Sequence, residues 1–341
     1  TNGRIKERVN QPKFGSILAE SKAWADILEC RFISDLNRLN KENAIGELIR
    51  ISEGLQEKRI AQIADHISAH REHIRLILIA GPSSSGKTSF AQRLQVQLRV
   101  NGLHPIMISL DDYFLNREDT PLNEKGQYDY ESLEALDTKL FNQNMISLLA
   151  GHKVQIPRYN FISGMREWKE DAFLSINDDQ PIIIEGIHGL NEYLTKDIPR
   201  INKYKIYISA LTQLNIDAHN RIPTTEVRFL RRLVRDYQFR GAKALKSIRQ
   251  WPDVREGEEK YIFPFQEDAD ALFNSALIYE IGVLKKYAVP LLEEIKCGEE
   301  GYTEARLILR FLQYVDEIDA IDDIPNNSIL REFIGKSVFF A

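Results

Sequence analysis

The sequence is poor in cysteine, since Cys30 and Cys297 are the only two among its 341 residues. Two cysteines so far apart exclude the disulfide framework that stabilises small secreted domains, and they lack the spacing of a zinc site. We therefore expect a protein of a reducing, cytoplasmic compartment.

Long hydrophobic runs and an excess of positive charge are also missing. No apolar stretch reaches the roughly 18–20 residues that a membrane-spanning helix needs, so no membrane association is expected. The polar start "TNGRIKERVN" has no apolar signal core and does not begin with Met, as in a processed chain or a fragment of a longer protein. The net charge of −5 argues against a surface that coats nucleic acid, which makes nucleic acid an unfavoured partner.

The pattern of apolar residues predicts three regions. Apolar residues at helical spacing in 16–29 and 44–70 predict a helical N-terminal region, residues 1–72, which could be the remnant of a larger domain. Residues 73–300 form the predicted main domain, and residues 301–341 a helical C-terminal extension.

In the main domain, short apolar runs alternate with helical stretches. This alternation predicts an α/β fold with a five-stranded, mostly parallel sheet that is buried on both faces. The five predicted strands are "RLILIAG" (75–81), "HPIMISL" (104–110), "PIIIEGI" (181–187), "KYKIYIS" (203–209) and "DALFNSAL" (270–277).

The stretch "GPSSSGKTS" follows the first strand directly. It matches the P-loop pattern G-x-x-x-x-G-K-[ST] at every fixed position, with a strand before it and a helix after it. Its glycines let the backbone wrap around phosphate oxygens, Lys87 can reach the β- and γ-phosphates, and the Thr88 hydroxyl can ligate Mg²⁺. We therefore predict binding of ATP with Mg²⁺. The predicted nucleotide-binding residues are Gly81, Ser83, Ser84, Ser85, Gly86, Lys87, Thr88 and Ser89.

Acidic residues follow two other predicted strands. "SLDDYF" places Asp111 and Asp112 after the second strand, and "IIIEGI" places Glu185 at the end of the third. Because ligands gather at the carboxyl ends of parallel strands, one acid could accept a proton and another could position Mg²⁺. The predicted metal site is Thr88, Glu185 and Asp111. Acids after strands also occur as plain turn or helix-cap residues, and that alternative stays open.

A strongly basic segment covers residues 228–249, with eight basic residues against the single acid Asp236. Arg228, Arg231, Arg232 and Arg235 share one helix face, because they are spaced at i, i+3, i+4 and i+7. In a P-loop protein this stripe predicts a mobile lid over the triphosphate, about residues 228–250. A solvated, salt-bridged face and an RNA-binding patch are the alternatives.

Taken together, these motifs resemble the uridine kinase/phosphoribulokinase family of P-loop kinases. The resemblance covers about residues 74–296 and rests on "GPSSSGKTSFAQRL", "SLDDYF", "KVQIPRYNF", "IIIEGI" and "RRLVRDYQFRG", in this order. It implies the three-layer P-loop NTPase fold. It is close to bacterial uridine or nucleoside kinases with an N-terminal region related to threonyl-tRNA synthetase, which would make residues 1–70 the end of such a region.

The resemblance also implies roles for single residues. Asp111 corresponds to the catalytic base, and Lys87, Arg235 and Arg240 to residues that hold the triphosphate. Tyr130 and Glu131 correspond to the pair that binds the ribose, although Glu stands where Asp is usual. The implied substrate-binding residues are Asp111, Tyr130, Glu131, Tyr159, Arg166, Arg232 and Gln250.

Two positions depart from the family pattern. Gly164 stands where uridine–cytidine kinases have a histidine that reads the pyrimidine edge, and Ala242 replaces a lid arginine. His188, in "EGIHGLN", could compensate for the missing histidine or could simply be packed. Losing a base-reading group relaxes or redirects the choice of base, so the base preference stays open.

The function expected from these residues is ATP- and Mg²⁺-dependent phosphorylation of a nucleoside 5′-hydroxyl. Two alternatives remain: a kinase of another sugar or sugar phosphate, as in phosphoribulokinase, and a non-catalytic ATP-binding module with a regulatory or RNA-associated role. The expected partner is a nucleoside or a related sugar, and a homo-oligomer is compatible with the sequence.

Overall fold

A five-stranded parallel sheet forms the centre of the computed structural model, which describes residues 10–340. Its strands are β1 Leu76–Ala80, β2 Ile106–Ser109, β7 Ile182–Glu185, β8 Lys203–Ser209 and β9 Ala271–Asn274. They lie in the order β2-β7-β1-β8-β9, so the strand that leads into the P-loop is central. Helices cover both faces, which confirms the predicted three-layer P-loop fold and all five predicted strands.

Two small antiparallel pairs lie beside the sheet: β3 (Val154–Gln155) with β6 (Phe173–Leu174), and β4 (Arg158–Asn160) with β5 (Met165–Glu167). The helices are α1 Pro12–Ile27, α2 Ile33–Lys41, α3 Ile45–Ala69, α4 Lys87–Val100, α5 Thr138–Leu149, α6 Thr224–Arg240, α7 Ala244–Tyr261, α8 Glu280–Glu293, α9 Tyr302–Leu312 and α10 Arg331–Ile334. Among the described residues, no helix has the length and apolarity to cross a membrane.

The central strand is buried on both faces, as its unbroken apolar sequence predicts. Ile77 and Ile79 point into a core formed with helices such as α3, α4, α6 and α8. Leu76 and Leu78 point into a second core on the opposite face, which includes the apolar side of α5. This two-sided burial holds the carboxyl end of β1 in place, where the P-loop begins.

Helix α3 of the N-terminal region packs directly on the P-loop helix α4. Arg93 of α4 is buried and pairs with Glu57 of α3 at 2.6 Å, and Glu53 accepts a hydrogen bond of 2.7 Å from Tyr279. Residues of α3 and of the main domain therefore share one core. The division at residue 72 stays a prediction, and residues 1–9 of that predicted region lie outside the described part.

The C-terminal extension begins with helix α9, and its later part lies against the P-loop. After α9, Arg331 fixes the position of the chain, because its guanidinium donates hydrogen bonds of 2.7 Å to the carbonyls of Ile321 and Ile324. The turn after Ser328 brings Ile329 against Gly86 of the P-loop. The boundary at residue 300 also stays a prediction.

Candidate active site

The P-loop forms a tight cradle between β1 and α4. Gly86 has a φ of +81° at the start of α4, and a side chain on Gly81 would collide with the carbonyl oxygen of Ile208. Glycine is therefore required at both positions for the backbone path. The hydroxyls of Ser84 and Ser85 are buried and donate to no protein acceptor. Such unpartnered donors beside a helix N-terminus fit a phosphate group.

Thr88 and Glu185 join the P-loop to the neighbouring strand. The Thr88 hydroxyl donates a hydrogen bond of 2.8 Å to Oε1 of Glu185. Within residues 10–340 there is no group of three or more His, Cys, Asp or Glu side chains that could hold a metal alone. Mg²⁺ is commonly held by one or two carboxylates together with substrate phosphates, so the joined Thr88 and Glu185 fit this ion, while a metal contact of Asp111 stays a prediction.

Asp111 begins the short helical turn Leu110–Tyr113 at the end of β2, with its side chain open to the cleft. Crowding by protein atoms raises the pKa of its carboxyl to about 7, with a further contribution from the charge of Glu185, while Lys87 opposes the shift. Asp112 has a different role, because its Oδ1 accepts the backbone N–H of Tyr159 at 3.3 Å. A carboxyl with a pKa near neutrality suits a general base.

Glu131 lies on the other side of the cleft, where its side chain packs on Gly257 of α7. Burial raises its pKa, as does Glu258, while Lys87 and Arg232 lower it. Since Lys87 and Glu131 both influence the ionisation of Asp111, the structure brings these three residues to one place.

A cluster of aromatic rings lies beside these acids. Phe114 is its centre, with the ring of Tyr159 at 5.5 Å and that of Tyr130 at 6.0 Å. Phe161, which is exposed, packs against Tyr159 at 5.1 Å. The buried Tyr159 hydroxyl has no hydrogen-bond partner. Tyr159, the predicted base-stacking residue, thus lies within this aromatic cluster, and its contact with a base stays a prediction.

Gly164 occupies the turn between β4 and β5 with a φ of +73°. A Cβ at this position would lie 2.6 Å from Nε of Arg117, so the arginine occupies the space a side chain would need. The Arg117 guanidinium also donates to the carbonyl of Phe161 at 3.2 Å. Sequence reasoning missed Arg117, because it lies in a separate loop more than 40 residues before Gly164.

Arg166 reaches the back of the Asp111 turn. Its guanidinium donates to the carbonyl of Phe114 at 3.0 Å and to Oδ2 of Asp137, the cap of α5, also at 3.0 Å. These bonds hold the turn after β2 in position. Direct contact of Arg166 with a substrate stays a prediction.

The basic stripe of α6 lies against the P-loop, and half of it is buried. Arg228 pairs with Glu258 and donates to the carbonyl of Ser83 at 3.1 Å. Arg231 pairs with Glu280 at 2.8 Å, is 0% exposed, and donates to the carbonyl of Ser84 at 3.4 Å. These two arginines fasten the P-loop backbone. A fully buried Arg231 gives no support to the RNA-patch alternative.

The other arginines of the stripe surround Asp236, a buried acid whose role the sequence did not reveal. Arg232 and Arg235 pair with it at 3.2 and 2.8 Å, and the largely exposed Arg240 lies 3.5 Å away. Arg232 also donates to the hydroxyl of Ser83 at 3.0 Å and approaches Gln250 at 3.5 Å. The structure thus gathers the arginines beside the P-loop, while their role as a lid stays a prediction.

His188 is 1% exposed, and neither ring nitrogen has a hydrogen-bond partner. Burial lowers its pKa to about 4, so the imidazole is neutral near pH 7. Its ring packs edge-on against Tyr261, at 5.9 Å. His188 is therefore packed inside the protein and is not exposed in a position to read a base.

Comparison with known proteins gives a family match over most of the sheet and the cleft. The model of the "Phosphoribulokinase / Uridine kinase family" matches residues 76–278. Curated relatives include the uridine kinases of Macrococcus caseolyticus (30% identity, 58% of this chain, 86% of the relative) and Deinococcus deserti (27%, 59% and 88%). The uridine kinase of Saccharomyces cerevisiae is 30% identical over 59% of this chain, which spans 36% of the yeast protein. The relation of residues 1–70 to threonyl-tRNA synthetase stays a prediction.

Proposed function

Because the chain belongs to the Phosphoribulokinase / Uridine kinase family and is a phosphotransferase that acts on an alcohol group, we propose that it transfers the γ-phosphoryl group of ATP to the 5′-hydroxyl of a nucleoside. The observation that carries the proposal is the position of Asp111. Its carboxyl, with a pKa of about 7, lies at the end of β2 within electrostatic reach of Lys87 of the P-loop. A hydroxyl bound between them would meet both a base and a phosphate-binding cation.

The proposed mechanism assigns one task to each group. Asp111 accepts the proton of the attacking hydroxyl, and Glu131 orients the ribose. Lys87, Arg235 and Arg240 bind the triphosphate and stabilise the charge that develops on it. Mg²⁺, when bound at Thr88 and Glu185, supplies charge neutralisation at the phosphates.

The aromatic cluster supports an acceptor with a flat ring. The exposed Phe161 offers a face on which a nucleobase can stack, and the ring of Tyr159 packs beside it at 5.1 Å. A sugar phosphate would gain little from these rings. Gly164 stands where uridine–cytidine kinases have a base-reading histidine, and Arg117 lies beside it, so we assign no single base.

An ADP-release assay tests the proposal. The protein is supplied with MgATP and, in turn, with uridine, cytidine, adenosine, guanosine and ribulose 5-phosphate. We expect ADP release that depends on at least one nucleoside and the matching 5′-monophosphate as product. Release with the sugar phosphate alone would favour the phosphoribulokinase-like alternative. ATP binding without acceptor-dependent release would contradict both kinase functions.

A further inference from the structure

The C-terminal segment formed by residues 326–340 lies on the P-loop, although it falls outside the region that matches the family. Ile329 contacts Gly86, and the Phe333 ring lies 5.1 Å from the Arg231 guanidinium. The backbone N–H of Val338 donates to the carbonyl of Asn326 at 3.0 Å, which closes the segment on itself. Ile329 and Phe333 are buried, so the contact is a packed one.

Within this segment, Glu332 holds donors at the start of α4. Its Oε2 accepts the Ser89 hydroxyl at 2.7 Å and the Ser89 backbone N–H at 3.2 Å. Ser89 follows Lys87 and Thr88 directly, and free N–H groups in the first turn of a helix are the donors that bind phosphate oxygens. The chain's own carboxylate therefore occupies an anion-binding position of the nucleotide site.

The charge of Glu332 also reaches other groups of the site. Burial raises the pKa of Glu185, and Glu332 adds to this effect. Burial and Arg235 lower the pKa of Arg240, and Glu332 opposes that shift. A phosphate that binds at Ser89 therefore meets the negative charge of Glu332. This charge acts on both Glu185 and Arg240, an arginine expected to hold the triphosphate.

We propose that Glu332 is an intramolecular competitor of the nucleotide phosphates and thereby sets the affinity of the site for ATP. Phosphate binding at Ser89 displaces the Glu332 carboxylate, whereas binding of the acceptor alone leaves it in place. The inference rests on the proposed function only in requiring that the P-loop binds nucleotide phosphates. The C-terminal extension is then a part of the nucleotide site.

A helix-capping role is the alternative. A carboxylate on the first turn of α4 stabilises the helix whether or not nucleotide binds there. The two roles differ in what happens when the charge is removed. Loss of a cap lowers stability alone, while loss of a competitor tightens phosphate binding.

The test is the variant Glu332→Gln, which keeps the size of the side chain and removes its charge. Isothermal titration calorimetry measures the dissociation constants of ATP, ADP and pyrophosphate. We expect all three to fall by about 2- to 5-fold, the range that corresponds to an anion at a helix N-terminus. The dissociation constant of the nucleoside found in the turnover assay should not change. Glu304→Gln, an exposed site on α9, is the matched control and should leave every constant unchanged.

A second variant keeps the negative charge but moves it away from Ser89. Glu332→Asp is shorter by one methylene, so its carboxylate no longer reaches Ser89, and ATP should again bind more tightly. Unchanged or weaker ATP binding by folded Glu332→Gln and Glu332→Asp would overturn the inference and leave the kinase function standing. A parent protein that binds no nucleotide would instead refute the proposed function, and the inference with it.

Discussion

A hydrogen bond of 2.8 Å joins the hydroxyl of Thr88, in the first turn of α4, to the carboxylate of Glu185, at the end of β7. The sheet register explains the contact, since Glu185 of β7 pairs with Ile79 of β1, two residues before the P-loop. The pairing places Glu185 next to the hydroxyl of Thr88 although 97 residues separate them.

Thr88→Val removes this hydroxyl and keeps the shape of the side chain. We expect the Mg²⁺ concentration needed for half-maximal turnover to rise about 10- to 100-fold, as for lost ligand or supporting groups at metal sites. Thr88→Ser retains the hydroxyl and is the control. Equal Mg²⁺ dependence of the two variants would contradict the assignment of Thr88.

Asp111→Asn removes the proposed base without changing its size. Turnover should fall by about 10²- to 10⁴-fold, the usual contribution of general base catalysis, while the dissociation constant of ATP changes little. ADP release and ATP titration measure the two effects. Asp119→Asn, at an exposed position of a nearby turn, should retain full activity. A fully active Asp111→Asn enzyme would rule out the base assignment.

The activity of the parent protein should depend on pH through Asp111. Because only the ionised carboxylate accepts a proton, and the surroundings raise its pKa to about 7, activity is low below this pH and rises towards a plateau above it. The measurement is kcat/KM for the nucleoside between pH 5.5 and 9 at saturating MgATP. A value of kcat/KM that stays constant from pH 5.5 upwards, as an unperturbed carboxyl with a pKa near 4 would give, would contradict this prediction.

Gly164→His should fail to restore a base-reading histidine. The left-handed backbone strains any side chain other than glycine, and the Arg117 guanidinium would have to move, so we expect a loss of about 1–3 kcal/mol in the free energy of unfolding. Urea denaturation measures it. Gly54→Ala is the matched control, because Gly54 lies exposed within α3 with open space around it, and there we expect a gain of about 0.5–1 kcal/mol. Stability of Gly164→His equal to that of the parent would contradict the packing argument.

Glu258→Gln breaks the buried pair with Arg228 that fastens the P-loop. An unpaired buried guanidinium costs about 3–5 kcal/mol, so the free energy of unfolding should fall by that amount. The amide NH2 of the glutamine would also face guanidinium groups of Arg228 and Arg255, which now donate to Oε2 of Glu258 at 2.7 and 3.1 Å. The control is Glu256→Gln, at an exposed position two residues earlier in α7, which should leave the free energy of unfolding unchanged. A Glu258→Gln protein as stable as the parent would show that the pair contributes nothing net.

The strands and the P-loop could be predicted because their signals are local. A run such as "LILIA" must be buried on both faces, and "GPSSSGKTS" fits only a tight phosphate-binding turn. The gathering of Asp111 and Glu185 near the P-loop was also predictable, since parallel strands place their carboxyl ends at one edge.

The environment of each arginine was not predictable in this way. Helical spacing correctly placed four arginines on one face of α6, but it could not distinguish the buried Arg228 and Arg231 from the arginines around Asp236. Their acidic partners, Glu258 and Glu280, come from α7 and α8, and burial of a charge depends on where those helices pack.

By itself, the sequence determined the order of the elements, the phosphate-binding loop and the candidate base, because each depends on residues that are neighbours in the chain. The tertiary structure alone decided that Arg117 fills the space beside Gly164 and that Glu332 holds the donors of Ser89, 243 positions away in the chain. Such contacts follow from packing between distant segments, for which no local pattern exists.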